Sequence, residues 1–116
     1  MITVIKSPFV QYKLTILRNK KTSNTVFRQT MNEISYLIAS DVLQYVPFKK
    51  QTIETPLKKM SGTVLGQPII LVPILRAGLG LLEGFAKFLP EAEKGHIGLY
   101  RDEQTYEPVE YLFKLP

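Results

Sequence analysis

Residues 72–84 read VPILRAGLGLLEG. An aliphatic run, beginning further back at Ile69, meets a single arginine, Arg76, and then Ala77, Gly78 and Gly80 in quick succession. Apolar residues that do not alternate with polar ones mark a strand covered on both faces, as in a parallel sheet. The residues after it, Leu81, Leu82, Phe85 and Phe88, recur at helical spacing. A strand that hands over to a helix through a charged, glycine-containing turn belongs to α/β architecture. In open parallel sheets, ligands lie beyond the carboxyl ends of the strands. Arg76 stands at such an end. Glycine lets a backbone turn sharply and approach a ligand closely, and amides at a helix start favour an anion. A guanidinium beside such amides makes a phosphate or pyrophosphate site.

Two familiar phosphate motifs are excluded. Gly78, Gly80 and Gly84 give G-x-G-x-x-x-G, with Glu83 where the dinucleotide fingerprint needs its third glycine. No lysine followed by Ser or Thr comes after the glycines, so the triphosphate loop is absent. Taken alone, RAGLG is equally compatible with an ordinary strand-to-helix turn.

Outward from this centre, a strand over 69–75, a helix over 80–89 ending at Pro90 and a second apolar strand over 95–100 (GHIGLY) make a parallel strand–helix–strand unit. Beyond it, YRDEQTYEPVEYLFKLP interleaves aromatic residues with charges and reads as a hairpin arm over 101–115. On the N-terminal side, Ser7-Pro8 opens a helix over 8–19, with serine as N-cap and proline in the first turn. After the polar break KKTSNT, Phe27, Met31, Ile34, Leu37, Ile38, Val42 and Tyr45 form one stripe of a helix over 26–46, with Thr25 as its N-cap and Pro47 as its end. Residues 51–67 alternate loosely around Ser61-Gly62 and read as short edge strands.

The 116 residues suit a single domain. With 45% hydrophobic and 22% charged residues the chain should fold. It contains no cysteine and one histidine, His96, which excludes disulfides and thiol nucleophiles and argues against a His/Cys metal site. No apolar run approaches the roughly 18 residues of a membrane span, and the N-terminus lacks a signal-peptide pattern, so a cytoplasmic protein is expected. The net charge of +5 is unevenly placed: residues 1–60 hold ten Lys/Arg against three Asp/Glu, the remainder five against seven. Lysine pairs such as Lys49-Lys50 and Lys58-Lys59 read as solvated surface, and no nucleic-acid motif accompanies them.

VPILRAGLG followed some twenty residues later by LYRDEQTYEPVEYLFKLP resembles, in order and spacing, the paired segments of uracil phosphoribosyltransferases of the type I phosphoribosyltransferase fold. SPFVQYKLTILRNKKTSNTVFRQ is similar to that family's opening helices, so the resemblance covers nearly the whole chain. It implies an α/β fold, here an incomplete parallel sheet flanked by helices with a C-terminal β-arm. It also implies transfer of ribose 5-phosphate from 5-phosphoribosyl 1-diphosphate (PRPP) to uracil, giving UMP and pyrophosphate, with Mg2+ assisting.

By the same resemblance Arg76, Ala77 and Gly78 match the pyrophosphate loop, and Arg101 matches a second arginine that contacts PRPP. A strained peptide bond often lies near the first arginine in this family, and the arm contributes to dimer contacts. No residue here matches a catalytic group or an identifiable metal ligand. Members continue beyond the point matching Pro116, with an acidic pair, a ribose-phosphate loop and a uracil-reading segment. The 116 residues therefore read as the N-terminal half, inactive alone. The alternative expectation is a non-catalytic interaction module that pairs with itself or with a full-length relative.

Overall fold

The computed structural model describes residues 2–116. Helix α1 spans Pro8–Arg18, with Pro8 in its first turn. Ser7 holds the N-cap position without lending its side chain to a hydrogen bond. Helix α2 spans Asn24–Val42 and tightens into a 3-10 turn over Leu43–Tyr45. The cap is Ser23, whose side chain accepts from the Val26 amide, and not Thr25 as the sequence suggested. Thr22, Ser23, Asn24 and Thr25 are all good cap formers, so only the backbone path selects among them. Val10, Ile34 and Ala39 are buried between these helices and their neighbours, and Lys13 pairs with Glu33 across α1 and α2.

Strands β1 (Phe48–Glu54) and β2 (Lys59–Leu65) pair antiparallel from Phe48–Leu65 to Glu54–Lys59. Thr55 closes the tip: its hydroxyl accepts from the Leu57 and Lys58 amides. At the base, the Gly66 amide donates to the Pro47 carbonyl. The sequence suggested edge strands of the main sheet, but this ribbon is a sheet of its own. Every residue of β1 is exposed.

The strand expected over 69–75 is two short ones, β3 (Ile70–Leu71) and β4 (Ile74–Leu75). Pro73, between them, has no N–H to give to a ladder, although its carbonyl accepts from the Ile97 amide. Helix α3 (Leu79–Phe88) follows, then β5 (Glu93–Lys94), β6 (His96–Arg101) and β7 (Pro108–Lys114). β3 pairs parallel with β5, and β4 pairs parallel with β6. β6 and β7 are antiparallel, so the arm begins within β6 and takes in the strand that the sequence separated from it. A bulge beside Gly98 leaves room for the Tyr111 ring, which occupies the space a side chain at 98 would need.

The main sheet runs β4–β6–β7, which leaves β4 with no neighbour on its other side. Ile70 and Ile74 are each half exposed, and Phe88 of α3 is 51% exposed. Leu81 of the same helix is 37% exposed. Ile70, Ile74 and Leu81, with Leu71, Leu82 and Phe85, line an apolar groove of about 360 Å³. The accessible surface is 9399 Å², where a compact monomer of 13.2 kDa exposes about 6,400 Å². Among the described residues no helix is long and apolar enough to cross a membrane.

A candidate anion site at the strand ends

The loop between β4 and α3 packs successive local hydrogen bonds into a few residues. The Gly78 amide donates to the Ile74 carbonyl at 2.7 Å, Leu79 to Arg76 at 3.1 Å, and Gly80 to Ala77 at 3.2 Å. Among the described residues, the amides of Arg76 and Ala77 make no backbone hydrogen bond. Free backbone donors and an exposed guanidinium are the kinds of group that can serve an oxyanion. The peptide bond between Leu75 and Arg76 is cis.

Gly78 works differently from the sequence expectation. Among the described residues no glycine has positive φ, and Gly78 itself has φ −62° and ψ −19° at the N-cap of α3. Its need is space: an added Cβ would lie 2.6 Å from both the N and the O of Ile74. The close approach is therefore to the protein's own backbone, and it is what folds the loop tightly enough to turn Arg76 out. Gly80 and Gly84 serve packing. A Cβ on Gly80 would meet Met31 Cγ at 3.0 Å, and one on Gly84 would lie 2.5 Å from both Ser35 Oγ and the Tyr36 N. The Gly84 amide donates to Ser35 Oγ at 2.9 Å, and that hydroxyl donates to the Asn32 carbonyl at 2.6 Å. Ser35 is fully buried. Thus α3, which carries the loop on its first turn, is seated directly on the backbone of α2.

Arg101 reaches the same end of the sheet by a separate route. β4 and β6 run parallel with Ile74 beside Ile97 and Leu75 beside Gly98. Arg76 and Arg101 consequently follow the carboxyl ends of adjacent strands, both exposed. A shallow pocket of about 260 Å³ lies against Leu99, Tyr100, Arg101 and Pro108.

Asp102, to which the sequence reading gave no role, is the hub of the turn beyond Arg101. Its Oδ1 accepts from the Gln104 amide at 2.8 Å and from the Thr105 amide at 3.0 Å. Its own amide donates to the Glu107 carbonyl, and its carbonyl accepts from the Tyr106 amide, both at 2.9 Å. The Thr105 amide, and after it the Gln104 amide, hold the Asp102 carboxyl below its ordinary 3.8. Tyr106 closes the turn with φ 60°. The signal available in the sequence was an aspartate two and three residues ahead of free amides, the pattern of an Asx turn.

The donor set does not form a metal cage. Among the described residues no three His, Cys, Asp or Glu side chains gather to hold a cation, and Asp102 already spends one oxygen on two amides.

Comparison with known proteins meets the same segments. A uracil phosphoribosyltransferase from Lactiplantibacillus plantarum is 49% identical over 114 residues, which is 97% of this chain and 54% of that protein. One from Streptococcus mutans is 47% identical over the same shares. The solved structure of the AQ2163 protein from Aquifex aeolicus superposes with a TM-score of 0.90 at 31% identity, covering 100% of this chain and 56% of the other. The chain thus spans about half the length of the curated relatives it matches. The family model described as uracil phosphoribosyltransferase matches residues 4–116, an interval that contains the Arg76 loop, the Arg101 turn and the helices that seat them, and the chain belongs to that family.

Proposed function

We propose that the Arg76–Ala77–Gly78 loop and Arg101 bind the diphosphate of PRPP, as part of a cytoplasmic phosphoribosyl transfer to uracil that yields UMP and pyrophosphate in pyrimidine salvage. The observation that carries the reading is the placement of two exposed arginines at the carboxyl ends of the adjacent parallel strands β4 and β6. Membership of a family of transferases supplies the reaction class. As the bond from the ribose to the diphosphate breaks, negative charge gathers on the departing oxygens. Guanidinium groups and amides fixed before the reaction stabilise that charge without reorganising. No covalent nucleophile is needed.

In this reading the 116 residues hold the diphosphate side of the site, and no acidic pair followed by a glycine-rich phosphate loop occurs among them. By themselves they are expected to bind pyrophosphate and to form no UMP. Calorimetric titration of the chain with pyrophosphate tests the first statement. Arg76→Ala and Arg101→Ala should each weaken binding by about 1.5–3 kcal/mol, the usual worth of a hydrogen bond to a charged group. Binding that survives both substitutions unchanged would place the anion elsewhere. UMP formed from uracil and PRPP by the purified chain would refute the second statement.

A second reading is favoured by one observation, the surface of 9399 Å². The excess over a compact monomer is about 3,000 Å², more than one partner buries in a standard-size interface, about 800 Å². In this reading the chain acts as an interaction module, pairing with its own copy or with a full-length relative through the β6–β7 arm. Size-exclusion chromatography with and without such a relative separates the two readings.

A further inference from the structure

We infer that Asp102 is the positioning residue for Arg101: through its side-chain bonds to the Gln104 and Thr105 amides it fixes the turn that holds the end of β6. The inference rests on the reading of Arg101 as a diphosphate contact, and it adds a role to a residue outside the contact set.

The argument starts from the hydrogen-bond pattern of the hairpin end. In an antiparallel ladder, hydrogen-bonded and non-hydrogen-bonded pairs alternate. The Asp102 amide donates to Glu107, which makes the preceding pair, Arg101 with Pro108, a non-hydrogen-bonded one. Pro108 has no N–H, and at such a rung none is required. Arg101 therefore receives no ladder bond of its own from its partner. Its backbone is held by the rung before it, Tyr100 with Val109, and by whatever holds Asp102 after it.

Asp102 is held by four bonds, two through its backbone and two through Oδ1. The side-chain pair reaches across the turn to residues 104 and 105 and so sets the path that arrives at Tyr106 with φ 60°. A non-glycine residue keeps that conformation only when its surroundings over-determine it. The Thr105 hydroxyl adds one more brace by accepting from the Glu107 amide at 3.2 Å. Without Oδ1, the turn keeps the Asp102 backbone bonds but loses the bonds that select its shape, and the ladder frays from Arg101 outward, beyond the Tyr100–Val109 rung.

The test uses the 116-residue chain and two readouts. Backbone amide relaxation at Arg101 should fall from an order parameter of about 0.85 to about 0.6 in Asp102→Ala, while Tyr100 and Val109 stay rigid. Asp102→Asn keeps the acceptor oxygen and should leave Arg101 unchanged. An Arg101 amide as rigid in Asp102→Ala as in the parent overturns the inference, whatever the anion does. Loss of order along all of β6 and β7 in both variants also overturns it, since Asp102 would then be a general stability residue.

The second readout is pyrophosphate affinity. Asp102→Ala should lower it by about ten-fold and Asp102→Asn should restore it. In the Arg101→Ala background Asp102→Ala should cost nothing more. An equal additional loss in that background contradicts positioning. If Arg101→Ala itself leaves affinity untouched, the diphosphate reading of Arg101 fails, and the relaxation data alone decide the role of Asp102.

Discussion

Replacing Gly84 with alanine sets helix propensity against packing, and the two give opposite signs. Propensity alone favours the variant, since alanine in a helix interior is better than glycine by about 1 kcal/mol. Packing opposes it. The new Cβ would lie 2.5 Å from Ser35 Oγ and from the Tyr36 N, with the Ser35 carbonyl carbon equally crowded. Non-bonded heavy atoms prefer about 3.5–4.0 Å, so α3 must withdraw from α2 by about 1 Å. The obstructing atoms include backbone on a buried helix face and cannot swing aside. Overpacking of this kind costs about 3 kcal/mol at the upper end of its usual range. Withdrawal also strips the Gly84 amide of its bond to Ser35 Oγ, worth about 1 kcal/mol. The net expectation is destabilisation by about 3 kcal/mol, or a fall in Tm of about 12 °C for a chain of this size. Urea unfolding followed by circular dichroism measures it directly. A variant equal to or more stable than the parent would show that propensity decides and that α2 and α3 do not meet backbone to backbone.

Gly78→Ala should act on binding more than on fold: its Cβ would sit 2.6 Å from the Ile74 N and O, opening the Gly78–Ile74 hydrogen bond and lowering pyrophosphate affinity by about ten-fold in calorimetry with helical dichroism retained. Acid should release the Arg101 turn. The Asp102 carboxyl is held below its ordinary 3.8 by amides that bond its charged form, so its contribution is fully present above that value and is lost as pH falls through the depressed one. The Gln104 and Thr105 amide shifts should therefore titrate together below pH 3.8, and in Asp102→Asn they should stay flat.

The strand-to-helix loop was legible because its signal is local. A strand end, one arginine and a glycine follow one another in the chain, and the family resemblance rests on the same residues. The packing of α3 on α2 was not legible in that way. Ser35 and Gly84 are 49 positions apart, and nothing in either helix names the other. The available signal was a pair of small residues four apart on α3, Gly80 and Gly84, the spacing that brings both to one face. The sequence reading spent Gly80 on a ligand and gave Gly84 no role, whereas in the structure Met31 and Ser35 fill the space beside them. The role of Asp102 in the turn was missed for the reverse reason: Arg101 beside it drew the functional reading, and a carboxylate whose side-chain bonds go to amides two and three residues on leaves no charge partner to find.

The apolar run that began the reading is not covered by these residues alone. PIILVPIL reads as a strand covered on both faces, and an uninterrupted apolar run is sound evidence for such cover. In the structure Ile70 and Ile74 are each 50% exposed, Val72 is 39% exposed, and β4 has one free edge. Both facts hold together if the run is adapted to contacts beyond those these residues make with one another. The excess surface of about 3,000 Å² points the same way, since covering its apolar part would gain about 25 cal/mol per Å². The exposed apolar face predicts a specific solution behaviour. The chain should bind an apolar-surface dye such as ANS strongly under native conditions, and Ile70→Lys with Ile74→Lys should reduce that binding while leaving the α1–α2 core intact. A chain that binds no dye and runs as a compact monomer would mean that this face closes on itself and that β4 has no free edge to offer.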